Sequence, residues 1–194
     1  NFDLGDYFGT NLKVQSIKDY INKCLEDKLG EVVHFVSMQG GYFHIPNYAV
    51  EYYISGLNAS IYIPYYLDNF EKLWINKSGL EEQISLGMVL AIDECIDFSS
   101  FPYDISIDKE KVNAITSINL LDATSKVFFP IEIKIGPTIK EIEKFQVKVP
   151  SNIYKLHQSA LNISLEQYNN GNYICLSCLA NIINKSGLLL YVFE

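Results

Sequence analysis

VNAITSINLLDATSKVFFPIEIKIGPTIKEIEKFQVKV, residues 112–149, is the stretch whose periodicity decides the fold. Ile105 and Ile107 already alternate with polar neighbours, and the segments Val112 to Leu121, Lys126 to Ile135 and Ile139 to Val149 continue at period two. That spacing predicts successive strands with one face buried. The middle two are expected to form an antiparallel hairpin through Asp122-Ala123-Thr124-Ser125. Pro130 cannot donate to a ladder, so it marks a bulge or an unpaired position and argues against a central strand. Lys140, Glu141, Glu143 and Lys144 interrupt the alternation of Ile139, Ile142 and Phe145, which suits a bent or edge strand.

On both sides of this block the period changes to that of a helix. Ile17, Tyr20, Ile21, Cys24, Leu25 and Leu29, continued by Val32, Val33 and Val36, recur at three- and four-residue spacing. Ser16 is the expected N-cap and Gly40-Gly41 the stop, with Gly30 tolerated inside at about 1 kcal/mol relative to alanine. Ser78-x-x-Glu81 reads as a capping box for a second helix through Ile84, Met88, Ala91, Ile92 and Cys95. Ser151 would cap a third, carrying Ile153, Leu156, Ala160, Leu161 and Leu165. After Asn169-Asn170-Gly171 a shorter helix is expected to carry Tyr173, Cys175, Cys178, Leu179 and Ile182, and Leu188 to Phe193 reads as a closing strand. Residues 1–13 lack periodicity and read as a frayed entry segment or a linker. The prediction is one α+β domain over 1–194, an antiparallel sheet of four to six strands with three to four helices packed on it.

Composition bounds the function. A net charge of -8 and the absence of arginine oppose a phosphate backbone and remove the bidentate fork that recognises phosphate. Nucleic acid is therefore not an expected partner, and no cofactor or metal is expected either. No apolar run approaches the roughly 18 residues that span a bilayer, so a membrane would be reached only through an anchor outside this chain. The chain begins at Asn1 rather than methionine, which suggests a processed product.

Cys24, Cys95, Cys175 and Cys178 form an even set, compatible with two disulfides in three connectivities. Pairing of Cys24 with Cys95 would close a loop of about 70 residues, stabilise by about 4 kcal/mol on a chain-entropy argument, and tie the first two helices together. Cys175-Leu176-Ser177-Cys178 has intrinsic redox chemistry, but an Asn-Gly turn precedes it where a thioredoxin-like site would have a strand. A four-cysteine zinc site has the ligand count but only one close pair. Sequons at Asn58, Asn76, Asn162 and Asn184 add to the extracellular, cell-surface expectation.

Between Tyr42 and Trp74 aromatic residues crowd the chain, and Gly56-Leu57-Asn58 separates two short runs as a hairpin turn would. Tyr42, Phe43, Tyr48, Tyr52, Tyr53, Tyr62, Tyr65, Tyr66 and Trp74, with Phe70 among them, are candidates for a partner surface. Tyrosine gives rigid contact area at low entropic cost, although strand packing would use the same residues. His34, His44 and His157 lie in separate elements without a nucleophile motif. Glu81, Glu82, Asp93, Glu94 and Asp97 read as a solvated acidic face.

Cys24 within its helix, Met38-Gln39-Gly40-Gly41-Tyr42-Phe43, Ile63-Pro64-Tyr65-Tyr66, Leu80-Glu81-Glu82-Gln83-Ile84 and Cys95 resemble envelope proteins of small-genome DPANN archaea. The resemblance covers the first two thirds of the chain and implies a signal or membrane helix upstream of an ectodomain; it carries no catalytic residues. The expected function is a non-enzymatic surface domain for adhesion or assembly into a surface layer or filament, with protein partners, self-assembly or glycans. A secreted hydrolase-like enzyme with a site assembled from distant residues, or a module binding glycans or small ligands, are the alternatives.

Overall fold

The computed structural model describes residues 4–54, 56, 58–69, 71–95, 97–171 and 175–188. Its element order is α1 (Leu4–Met38), β1 (Ala49–Ile54), β2 (Ala59–Pro64), β3 (Leu67–Asp68), β4 (Glu71–Lys72), α2 (Lys77–Ala91), β5 (Asp104–Ile107), β6 (Asn113–Ile118), β7 (Asp122–Ile135), β8 (Thr138–Pro150), α3 (Ile153–Asn170) and α4 (Leu176–Ser186). This is an α+β fold whose largest sheet has four strands. The closing strand expected over Leu188 to Phe193 lies, beyond Leu188, outside the described residues, as do Tyr173 and Phe70.

β7 organises the sheet. It pairs β8 along one edge, while β5 and β6 follow one another along the other, all antiparallel. Ala123, Ser125, Val127, Phe129, Ile131 and Ile133 of β7 turn inward with Ala114, Thr116 and Ile118 of β6 and Phe145, Val147 and Val149 of β8. Their period-two partners face solvent.

The inward face is covered by α1. Ile17, Ile21, Leu25, Leu29, Val32, Val33 and Val36 form its buried stripe, as their spacing predicts. The helix is longer than the stripe: it has 35 residues, about 52 Å, and begins at Leu4 where a linker was expected. Ser16 is therefore not an N-cap; its hydroxyl donates to Leu12 O inside the helix at 3.1 Å. Gly40 and Gly41, both at positive φ, end α1, and the Gly41 N–H returns to Val36 O at 2.9 Å.

α2 packs against α1 and also finishes the sheet edge. The Thr116 N–H donates to Ser85 Oγ and the Ile118 N–H to Glu81 Oε1, each at 2.9 Å, so β6 donors that would face water are bound. This use of Glu81 displaces the expected capping box. Asn76 is the N-cap instead, its Oδ1 accepting from the Gly79 N–H at 2.8 Å. Two further expectations shift. The β6–β7 turn lies at 119–121, closed by the Asn119 N–H to Asp122 O at 2.8 Å, so Asp122–Ser125 is strand. Pro130 does sit at a bulge, where the β7–β8 register shifts between Phe128 and Ile131, yet its strand is the central one. Between β5 and β6 no pair requires its missing N–H, and its carbonyl accepts from Asp108. Ser151 Oγ accepts from the Ile153 N–H, although Asn152 occupies the cap of α3.

Cys24 and Cys95 form a disulfide that bolts the 3-10 turn after α2 to α1. Its sequence separation of 71 residues gives about 4 kcal/mol by loop entropy, against about 2 kcal/mol for the Cys175–Cys178 disulfide, whose separation is 3. Cys24→Ala with Cys95→Ala should therefore lower unfolding free energy by about 4 kcal/mol in denaturant titration, whereas Cys175→Ala with Cys178→Ala should cost at most half of that.

At Gly87 the α2 backbone nearly touches α1: an added Cβ would lie 2.6 Å from Val32 Cγ1 and 2.7 Å from Phe43 Cδ2. Gly87→Ala gains about 1 kcal/mol of helix propensity but overpacks a buried contact costing about 1–3 kcal/mol. The melting temperature should fall; a rise would show that Val32 and Phe43 yield freely.

Candidate partner-binding surface

The tyrosine-rich stretch divides into anchors and a display. Tyr42 is buried, its hydroxyl 3.0 Å from the Tyr48 hydroxyl and 3.3 Å from Leu73 O. Tyr66 donates to Gly40 O at 2.9 Å. Burial pushes the Tyr66 phenol up to about 12 and, with the Tyr48 hydrogen bond, raises that of Tyr42 as well. Phe43 packs edge-on to Phe35, and Gln83 Oε1 accepts both the Phe43 and His44 N–H groups at 2.9 Å. Trp74 is half-buried beside Lys72, whose ammonium also lies 4.2 Å from the Tyr168 ring centroid. These residues moor the segment to the helices.

β1 and β2 form a separate two-stranded sheet displayed by that mooring. Antiparallel partners share a face, so the register Val50↔Ile63, Tyr52↔Ile61 and Ile54↔Ala59 places six apolar residues on one side. Val50, Tyr52 and Ile63 are 44%, 37% and 37% exposed, and among the described residues none of the six belongs to the main buried core. The opposite face mixes Glu51, Tyr53, Ser60 and Tyr62, with Tyr53 donating to Asn58 Oδ1 across the turn. Tyr65 is exposed just beyond β2. The aliphatic half of this surface was legible as Val50-x-Tyr52-x-Ile54 and Ala59-x-Ile61-x-Ile63, a period-two signal masked by the conspicuous tyrosines between.

A second apolar surface lies between α1 and α2, a groove of about 470 Å³ walled by Val32, Phe35, Met38, Phe43, Gly87 and Leu90. Phe35 is 46% and Leu90 55% exposed. Its rim carries Lys28, Glu31, His34 and Glu94.

The remaining sequence candidates are dispersed. His157 is buried, its Nε2–H donating to Ile75 O at 2.8 Å, while Nδ1 meets no donor. It borders a cavity of about 70 Å³ with Gly40, Tyr66 and Leu80, whose walls contain no carboxylate. His44 is exposed in the loop after α1. Glu94 pairs with Lys28, Asp93 with Lys109 and Glu81 with Lys77. Among the described residues no His, Cys, Asp and Glu side chains cluster as metal ligands. Asn58, Asn76, Asn162 and Asn184 are all exposed, but the Asn58 and Asn76 amides already serve the hairpin turn and the α2 cap.

No protein-family model, curated protein or solved structure matches this chain. The cysteines are joined as Cys24–Cys95 and Cys175–Cys178, and disulfides form and persist in oxidising compartments, which suits a secreted or extracellular protein. No helix among the described residues is long and apolar enough to cross a membrane.

The two moored tyrosines give the fold an alkaline limit. Their folded pKa values are raised above the ordinary value of about 10, so their contribution is complete below pH 10 and is lost as pH rises toward about 12. In a tyrosinate absorbance titration of the 14 tyrosines, Tyr42 and Tyr66 should give a lagging fraction that disappears in Tyr42→Phe with Tyr66→Phe. A single transition common to all tyrosines would contradict the mooring.

Proposed function

We propose that this chain is an extracellular surface domain that assembles head to tail with copies of itself, the β1–β2 hairpin of one copy seating its apolar face in the α1/α2 groove of the next. The six-residue apolar face of the hairpin, exposed at Val50, Ala59 and Ile63 and half-buried at Ile54 and Ile61, carries this reading. A two-stranded hairpin is marginal in water unless its hydrophobic face is covered, and Val50 and Ile63 on that face remain 44% and 37% exposed. The groove offers an apolar counterpart on a different pair of elements. Contacts between two different patches leave a free hairpin and a free groove on each dimer, so repetition builds a ring where the rotation closes and a filament where it does not.

Its resemblance to archaeal envelope proteins and its two disulfides support the surface setting. The reading assigns no catalytic role.

Sedimentation across a concentration series tests it directly. Wild-type protein should form a ladder of oligomers, while Tyr52→Lys with Ile63→Glu, and separately Phe35→Glu with Leu90→Glu, should stay monomeric with unchanged circular dichroism. An equimolar mixture of the two variants retains one intact hairpin and one intact groove, and should stop at a 1:1 dimer. A monomeric wild type, or a mixture that never pairs, overturns the proposal.

A further inference from the structure

The two disulfides differ in kind. Cys95 is buried and its bond to Cys24 joins distant helices, whereas Cys175 and Cys178 are half-buried and join the two ends of one helical turn. Cys175 is the N-cap of α4, and its Sγ accepts the Cys178 N–H at 3.3 Å with Ser177 Oγ 3.5 Å away. Those donors, with the positive end of the helix dipole, favour a thiolate on Cys175 once the bond is broken. α4 itself buries no residue and packs chiefly on α3. Between the two helices runs a cleft of about 660 Å³, with Cys178 in its wall beside Tyr154, Gln158, Asn181 and Lys185. A reactive bond thus opens on a cavity large enough to admit a partner's side chains.

We infer that Cys175–Cys178 is a thiol–disulfide exchange site that oxidises dithiols reaching the α3/α4 cleft, distinct from the structural Cys24–Cys95 bond. A substrate thiolate attacks Cys178 Sγ, the sulfur in the cleft wall, forming a mixed disulfide; the Cys175–Cys178 bond breaks and its electron pair leaves on Cys175 Sγ, held as thiolate by the Cys178 N–H. The substrate's second thiolate then attacks the substrate sulfur of that mixed disulfide and displaces Cys178, whose sulfur takes up a proton. The substrate dithiol has lost two electrons and two protons to become a disulfide, the cysteine pair has gained the two electrons and one proton, and the second proton goes to solvent. The direction follows from the donors around Cys175, because whatever stabilises the reduced form makes the disulfide the stronger oxidant.

The native protein, equilibrated in graded dithiothreitol and alkylated, is read by mass spectrometry. Cys175 and Cys178 should be modified at concentrations about tenfold or more below those that release Cys24 and Cys95, with the fold intact. A reduced unfolded protein bearing a cysteine pair, offered at equal thiol concentration, separates the sources: faster exchange than with dithiothreitol assigns the cleft to polypeptides, and equal rates assign it to small dithiols. In Cys178→Ser, which keeps the backbone donor, alkylation of Cys175 should titrate below pH of about 7.5, against about 8.5 for an ordinary thiol. Release of all four cysteines together, or a midpoint at the ordinary value, would overturn the inference.

Discussion

The contact between the apolar stripe of α1 and the inward face of β7 and β8 is the constraint on which every other element depends. β7 is long and central, so its buried side chains present a continuous surface, and α1 supplies a stripe from Ile17 to Val36 to cover it. α2 then has one place to go. It lies against α1, seals the outer edge of β6 with Ser85 and Glu81, and comes close enough to α1 that only glycine is accommodated at 87. The Cys24–Cys95 bond fastens this arrangement at the end of α2.

The segment between α1 and α2 is consequently free of structural duty for the main sheet. It must only bridge Met38 to Lys77, and it does so with a buried anchor at Tyr42, a half-buried one at Tyr66 and a separate two-stranded hairpin. Polar satisfaction explains which tyrosines anchor. Tyr42 and Tyr66 reach backbone carbonyls at Leu73 and Gly40, which makes their burial affordable. The hairpin has its own ladder while Val50 and Ile63 stay exposed on its apolar side, and that imbalance between satisfied backbone and exposed side chains motivates the assembly reading.

α4 repeats the imbalance on a smaller scale. It is an amphipathic helix with no fully buried residue, held at its first turn by a disulfide that spans too few residues to add much loop entropy. Chemistry rather than stability is the more economical reason for a bond in that place.

The sequence by itself determined the α+β class, the strands of the main sheet, the buried face of α1 and its stop at Gly40-Gly41, because periodicity and φ preference are local properties. It also indicated an even cysteine set and the tyrosine-rich hairpin. What it left open depended on neighbours distant in sequence. Asn76 took the α2 cap because Glu81 was drawn to the Ile118 N–H, and Pro130 sat in a central strand because β5 and β6 leave a gap opposite it. Tyr42 and Tyr52 look alike in sequence, yet one is buried against the Leu73 carbonyl and the other stays 37% exposed on the hairpin. Only tertiary packing distinguishes them, since burial is decided by what arrives from the rest of the chain.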